Sequence, residues 1–150
     1  MANTFTSTIT ESWTGDTGTL DSTKTLTIGS ITDVTKRVVN LTTAVVTLAQ
    51  FGATVGTSAN AHDVNLVKYV RVTNLDGSAS LKLGVIGAAS CHNIIVKPGE
   101  SQIFGETDDT YLAEADADPS HASHADIVTI EGLSSSGTIA VEIVIAATAS

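Results

Sequence analysis

Residues 126–147, DIVTIEGLSSSGTIAVEIVIAA, contain two runs of alternating apolar residues separated by a turn rich in serine and glycine. In the second run, Ile139, Val141, Ile143 and Ile145 recur at every second position. A period of two places such side chains on one face of a β-strand. We therefore expect this segment to form a β-hairpin with one buried face.

Two neighbouring segments show the same alternation. Residues 66–87, LVKYVRVTNLDGSASLKLGVIG, predict two strands around a turn in which Asn74 and Asp76 supply side-chain acceptors. Residues 92–104, HNIIVKPGESQIF, predict a strand that stops at the Pro-Gly pair. The second half of the chain thus reads as a series of short strands.

The first 60 residues differ from the rest in composition, because they hold 17 of the 23 threonines. Alternation around Phe5 and Ile9 predicts a half-buried strand at the start of the chain. Residues 13–23, WTGDTGTLDST, are predicted to form a loop. Residues 36–51, KRVVNLTTAVVTLAQF, are predicted to form one continuous strand with apolar side chains on both faces.

The fold class follows from composition and spacing together. Threonine, valine and isoleucine make up a third of the residues, and these β-branched types fit a pleated sheet better than a helix. Eight or nine short strands without an amphipathic helix predict an all-β protein, a two-sheet antiparallel sandwich of jelly-roll type rather than a barrel. We expect a Thr-rich N-terminal arm and loop over residues 1–22 and a single β-sandwich domain over residues 23–150.

Charge and hydropathy exclude several partners. The chain carries 16 acidic and 7 basic residues, a formal net charge of -9, which argues against binding to nucleic acid. No stretch approaches the roughly 18 unbroken apolar residues of a membrane helix, so we expect no membrane partner. The first residues lack the basic start and the apolar core of a secretory signal, so we expect that the protein is made and used without being exported. Cys91, the single cysteine, is expected to be buried.

The sequence carries no motif of a catalytic site, a nucleotide site or a cofactor site, so we expect no enzyme, no catalytic residue and no cofactor. Acidic residues concentrate in one segment, which we interpret as an exposed acidic loop. Its members are Glu106, Asp108, Asp109, Glu114, Asp116 and Asp118. We expect no metal site, although a cation among these carboxylates is an open alternative.

Two histidines lie in the same segment. His121 and His124 stand three residues apart, beside Asp118 and Asp126, a set that zinc or nickel could use if the segment aligned them. The proline and serines around them favour a loop with surface histidines instead.

The N-terminal arm is the predicted interface, through Phe5, Ile9 and Trp13. Trp13 is the only tryptophan and stands among Gly, Thr and Asp residues, where a core residue is not expected. A large aromatic side chain in such a place is typical of an anchor that fills a pocket on a partner. The alternative is that the arm packs back onto its own sandwich.

Within residues 66–147, the run from YVRVTNLDGSASLKLGVIG through IIVKPGESQIF, YLAEADAD and ADIVTIEG to the terminal VEIVIAA resembles small virion structural proteins of tailed bacteriophages, mostly capsid decoration or cement proteins. The resemblance implies a β-sandwich present in many copies on the outer surface of a capsid, made in the host cytoplasm. The implied partners are the major capsid protein and further copies of the chain, as a trimer or, less favoured, a dimer.

The implied function is to stabilise the phage head by binding neighbouring shell subunits. Two alternatives stay open at this point. One is a tail or head-fibre component that contacts the host surface, and the other is a β-sandwich module that binds a cation or a carbohydrate.

Overall fold

A computed structural model describes residues 3–53, 58–88, 90–112 and 124–149, and these residues form thirteen β-strands and no helix. The strands are β1 (Thr4–Gly15), β2 (Gly18–Gly29), β3 (Ile31–Leu41), β4 (Val46–Gly52), β5 (Ala61–Asp63), β6 (Val67–Asn74), β7 (Leu81–Gly87), β8 (Cys91–Val96), β9 (Ser101–Phe104), β10 (Tyr111–Leu112), β11 (His124–Ala125), β12 (Ile127–Ser134) and β13 (Ile139–Thr148). The predicted all-β class is confirmed.

Two sheets form the body of the molecule. The four-stranded sheet has the order β3-β13-β6-β9 and is antiparallel throughout. The five-stranded sheet has the order β5-β4-β12-β7-β8, with only the short β5 parallel to its neighbour. The predicted two-sheet sandwich is therefore present.

The pairing order is that of a jelly roll. β3 pairs with β13, β4 with β12, β6 with β9 and β7 with β8, so the first strand of the sandwich meets the last and the middle strands meet each other. A long hairpin wrapped over itself gives this order and places alternate strands in opposite sheets. The predicted jelly-roll type is confirmed by this topology.

The core lies between the two sheets and contains residues of both. β13 contributes Val141, Ile143 and Ile145, all almost fully buried, as their alternation predicts. β7 contributes Leu81 and Leu83 from the opposite sheet. Alternate residues of these strands point away from the core, so each sheet also has an outer face.

Two connections differ from the sequence-based expectation. Residues 36–51 are not one strand: β3 ends at Leu41, and the chain crosses to the other sheet before β4 begins at Val46. The hydroxyl of Thr42 accepts a hydrogen bond from the Ala44 amide at 3.2 Å and stabilises this turn. The crossing lets Leu41 and Leu48 enter the core from opposite sheets, which a straight strand would prevent.

The expected hairpin over residues 126–147 is also wrong. Both of its strands exist, but β12 lies in the five-stranded sheet and β13 in the four-stranded sheet. Gly137, with φ of +62°, turns the chain between the sheets. A period of two in the sequence indicates that a strand has one buried face. It does not indicate which other strand pairs with that strand.

Cys91 is exposed rather than buried. It begins β8, an edge strand of the five-stranded sheet, where only one neighbour covers it.

Candidate functional site

The N-terminal segment is a long two-stranded hairpin. β1 and β2 pair in unbroken register from Thr4 opposite Gly29 to Gly15 opposite Gly18. The predicted strand around Phe5 is confirmed, but residues 13–23 are not a loop, because they form the paired ends of both strands around a turn at Asp16. The predicted arm boundary after residue 22 falls inside β2.

The two faces of this hairpin differ sharply in chemistry, because directly opposed residues share a face. One face carries Thr6, Thr8, Thr10 and Thr14, and the partner of each is also a threonine. The other face carries all the large apolar side chains of the hairpin. These are Phe5 opposite Ile28, Leu26 opposite Ser7, Ile9 opposite Lys24, and Trp13 opposite Leu20.

The base of the apolar face packs on the molecule's own sandwich. The rings of Phe5 and Tyr69 lie with their centroids 4.8 Å apart, and the Ser7 hydroxyl lies 3.1 Å from the Tyr69 hydroxyl. Tyr69 and Ala146 stand on the outer face of the four-stranded sheet, where with Ile31 they form a small cluster that Phe5 and Ile28 cover. The hairpin is thus anchored at its base.

The rest of the apolar face is exposed. We call Ile9, Trp13, Leu20 and Leu26 the distal apolar face. Trp13 is 53% exposed and Leu20 is 61% exposed, and the other two side chains are close to half exposed. Four large apolar side chains on one face of a two-stranded ribbon, next to a face of threonines, are typical of a docking surface.

The tip of the hairpin holds the Trp13 side chain in a fixed place. A Cβ atom at Gly15 would come within 2.2 Å of Trp13 Cζ2, so the indole lies against the backbone of Gly15. On the other side of the turn, Gly18 has φ of +144°, a conformation that side-chain-bearing residues rarely adopt. Glycines at both ends of the turn therefore make room for the ring and for the tight reversal.

The structure divides the predicted interface residues into two roles. Phe5, Ile9 and Trp13 share one face of β1, but Phe5 contacts its own sandwich while Ile9 and Trp13 are exposed. Sequence reasoning missed Leu20 and Leu26 on β2. The Gly-Asp-Thr-Gly run was the sequence signal that could have indicated these two residues, because a two-residue turn in this run pairs Trp13 with Leu20.

The acidic segment is partly described. The carboxylates of Asp108, Asp109 and Asp126 lie within 4.8 Å of one another, and the Asp109 amide donates to Asp126 Oδ1 at 3.1 Å. Partial removal of the Asp108 carboxyl from solvent raises its pKa, and the negative charges of Asp109 and Asp126 raise the pKa further. Glu106 lies apart from this set and pairs with Lys68 Nζ at 3.3 Å.

The other residues of the predicted acidic loop, Glu114, Asp116 and Asp118, lie outside the described residues, as does His121. His124 is described, and its exposed side chain stands on β11.

A cleft of about 550 Å³ opens at the sandwich edge between β3 and β5, and its polar lining residues include Asp33, Thr35, His62 and Asp63. Beside it, the Arg37 guanidinium donates to Asn60 Oδ1 and to the Leu48 carbonyl, which ties β3 to the five-stranded sheet. Burial, and then the positive charge of Arg37, lower the pKa of His62, while Asp33 opposes the shift. These contacts hold the sandwich edge together.

A smaller apolar groove of about 290 Å³ lies on the outer face of the five-stranded sheet. Gly84 of β7 forms part of its lining and stands between Asn93 of β8 and Glu131 of β12 in the sheet register. Ile95 and Leu133 flank the next outward residue of β7, Lys82. The groove therefore combines apolar walls with two oxygen acceptors and one ammonium group.

Comparison of the chain with protein-family models, with curated protein sequences and with solved structures found no match. The part of the chain described by the structure contains no helix that is long and apolar enough to cross a membrane.

Proposed function

We propose that this chain is a non-enzymatic structural subunit of a phage particle, a capsid decoration protein that binds the major capsid protein and stabilises the head. The observation that carries the proposal is the distal apolar face, held outward on a hairpin whose base is anchored in the sandwich. The resemblance of residues 66–147 to phage decoration proteins is the reason for proposing a phage head as the assembly. Shell subunits or sister copies are the surfaces that this hairpin would hold.

The energy of such a contact is modest for one copy. Covering a half-exposed large apolar side chain contributes on the order of 1 kcal/mol, so the four residues of the distal apolar face supply about 4 kcal/mol. Association itself costs several kcal/mol in lost freedom of motion. A single copy would therefore bind weakly, whereas an oligomer that engages several shell subunits gains affinity through multivalency.

The distribution of charge agrees with this role. The chain has a net charge of -9, and Asp108, Asp109 and Asp126, which do not belong to the hairpin, form an acidic cluster. An acidic exterior keeps a densely covered particle soluble, while the uncharged threonines and apolar residues dominate the hairpin. We infer that the acidic segment faces solvent in the assembly.

The test is binding of the full chain to purified shells that lack it, measured by co-sedimentation. We expect the double variant Trp13→Ser with Leu20→Ser to lose at least about tenfold in affinity, because truncating interface aromatics removes the largest contributions. The matched control is Thr14→Ala with Thr19→Ala, at the neighbouring paired positions on the opposite face. Equal binding by both double variants would contradict the proposal.

A copy number near one per shell subunit, or a simple fraction of it, would separate a decoration protein from a tail or head-fibre component. Quantitative mass spectrometry of purified particles measures this ratio. A handful of copies per particle would overturn the decoration role in favour of the fibre.

One observation favours a second function, that of a cation-binding module. Three carboxylates within 4.8 Å of one another can ligate a hard cation such as Ca²⁺. A ligand that binds only the folded chain raises its melting temperature. Under this alternative, millimolar Ca²⁺ raises the melting temperature of the natural chain and not that of an Asp108→Asn variant, and an equal response of the two would exclude it.

A further inference from the structure

The groove on the five-stranded sheet exists because Gly84 has no side chain. The neighbouring outward positions on either side carry Asn93 and Glu131, and a Cβ atom at Gly84 would stand 3.1 Å from Glu131 Cγ and 3.6 Å from Asn93 Oδ1. The resulting depression of about 290 Å³ is smaller than most ligand pockets, which measure about 300 to 1,000 Å³. Its size suits a single large side chain better than a free ligand.

The lining of the groove selects for the chemistry of that side chain. Ile95, which is 56% exposed, and Leu133 offer apolar surface. The Asn93 side-chain oxygen and the Glu131 carboxylate offer hydrogen-bond acceptors at the same place. A flat apolar ring with one hydrogen-bond donor satisfies both requirements, and tryptophan and tyrosine are the side chains of that kind.

Among the side chains that the structure describes, Tyr69 is buried and Trp13, at the tip of the hairpin, is exposed. The turn next to it carries Asp16, and the groove carries Lys82, which has no carboxylate partner within 4.0 Å among the described residues. Asp16 and Lys82 are therefore opposite charges that lie beside the two surfaces, while the groove's own carboxylate, Glu131, stands at the Gly84 end. In a chain with a net charge of -9, an unpaired lysine marks one of few places that attract an acidic tip.

The two features lie on opposite sides of one molecule. The hairpin is anchored on the outer face of the four-stranded sheet through Tyr69, and the groove lies on the outer face of the five-stranded sheet. None of the described residues that line the groove belongs to the hairpin. From Ser7 to its tip the hairpin extends roughly 25 Å, which is long enough to reach a neighbouring molecule.

We propose that Trp13 of one copy inserts into the Gly84 groove of a second copy, with the indole N–H donating to Asn93 or Glu131 and Asp16 beside Lys82. The inference rests on the proposed role of the hairpin as an intermolecular docking element. Trp13, the plug, and the Gly84 groove are different surfaces, so two copies can exchange plugs reciprocally in a two-fold dimer, or the contact can repeat head-to-tail and close into a ring such as the expected trimer.

The closing experiment uses complementary variants of the full chain. Trp13→Ala removes the plug and keeps the groove, and Gly84→Leu fills the groove and keeps the plug. Sedimentation velocity should show oligomers for the natural chain and monomers for each variant alone, with self-association weakened more than about tenfold. An equimolar mixture of the two variants should form a dimer that grows no further, because only one plug and one groove remain functional.

Each control addresses a separate alternative. Thr14→Ala, on the opposite face of the hairpin, should self-associate like the natural chain. Ile95→Glu replaces Gly84→Leu if the latter lowers the melting temperature, since it places a charge on the exposed wall of the same groove.

Several results would overturn the inference. They are a natural chain that stays monomeric at all concentrations, a Trp13→Ala variant that assembles normally, and a mixture that forms no dimer. Normal assembly of a folded groove variant would also do so, since the groove would then not be the contact between copies.

Shell binding separates this inference from the function on which it rests. If Gly84→Leu is monomeric and still binds shells, with the lower affinity expected of a single copy, both stand. If the Trp13→Ser, Leu20→Ser variant loses shell binding while it self-associates normally, this inference fails and the proposed function stands. If that variant binds shells normally, the proposed function fails, and the mixing experiment alone decides whether Trp13 holds a sister copy.

Discussion

The ring of Phe5 packs on the ring of Tyr69 at a centroid distance of 4.8 Å and an interplanar angle of 46°, and this contact fixes the hairpin to the outer face of the four-stranded sheet. The pair explains why a segment rich in threonine is held against the domain. It also separates the apolar residues that anchor the hairpin from those that are free to dock.

Replacing Phe5 with alanine should loosen the hairpin without unfolding the sandwich. An aromatic pair contributes about 0.5 to 1.5 kcal/mol beyond area burial, and Tyr69 would keep its own contacts with Ala146. Hydrogen exchange should accelerate in β1 and β2 and stay unchanged in β6 and β13. Tyr69→Phe, which keeps the ring and removes only the hydroxyl contact with Ser7, should give a smaller effect. Unchanged exchange in the hairpin of Phe5→Ala would contradict this assignment.

Two glycines on neighbouring strands should respond differently to alanine. A Cβ atom at Gly132 would stand 2.9 Å from Leu81 Cδ1 and 3.2 Å from Leu41 Cδ1, inside the packed core. Overpacking of this kind costs about 1 to 3 kcal/mol. At Gly84 the new atom meets the flexible Glu131 side chain, so Gly84→Ala should cost less. Urea unfolding of both variants measures the difference, and an equal loss of stability would be inconsistent with the packing described.

Asn74 joins three segments at the end of β6 and should be sensitive to truncation. Its buried side-chain amide donates to the Ala79 carbonyl at 2.9 Å and to the Val96 carbonyl at 3.1 Å, and its oxygen accepts from the Asp76 amide. Asn74→Ala leaves these groups without their partner, at a cost of about 1 to 3 kcal/mol per buried unsatisfied group. A melting temperature equal to that of the natural chain would contradict the role.

The stability of the sandwich edge should depend on pH through His62. Burial and the Arg37 charge lower the pKa of His62 in the folded chain, so the unfolded chain binds its proton first as the pH falls. Stability therefore decreases from the unfolded pKa of about 6.5 down to the lower folded pKa. Between pH 7.5 and 5.5, the natural chain should lose more stability in urea than a His62→Gln variant. Parallel pH profiles for the two proteins would refute this coupling.

The sequence predicts the strands better than their partners. Alternation in β13 identifies Val141, Ile143 and Ile145 as core residues, because burial on one face leaves a period of two in the sequence. The same alternation in β12 and β13 suggested a hairpin, yet the two strands lie in opposite sheets. Sheet assignment depends on contacts between residues far apart in the chain, which local patterns do not contain.

The sequence predicts only part of the docking surface, because the rest depends on which residues the fold brings together. Trp13 stands out as a lone tryptophan among small polar residues, and it is exposed as expected of an anchor. Leu20 joins it only through the hairpin register, which depends on recognising the turn at Asp16. The groove at Gly84 brings together β7, β8 and β12, so no single stretch of sequence indicates it.

The fluorescence of Trp13 shows whether protein covers the distal apolar face in the assembly. Because the chain contains one tryptophan, its emission reports this side chain alone. We predict emission typical of exposed indole in dilute solution, and a shift to shorter wavelength as concentration or added shells drive assembly. Gly84→Leu should show no shift with concentration. Emission that stays constant while sedimentation shows assembly would contradict the account.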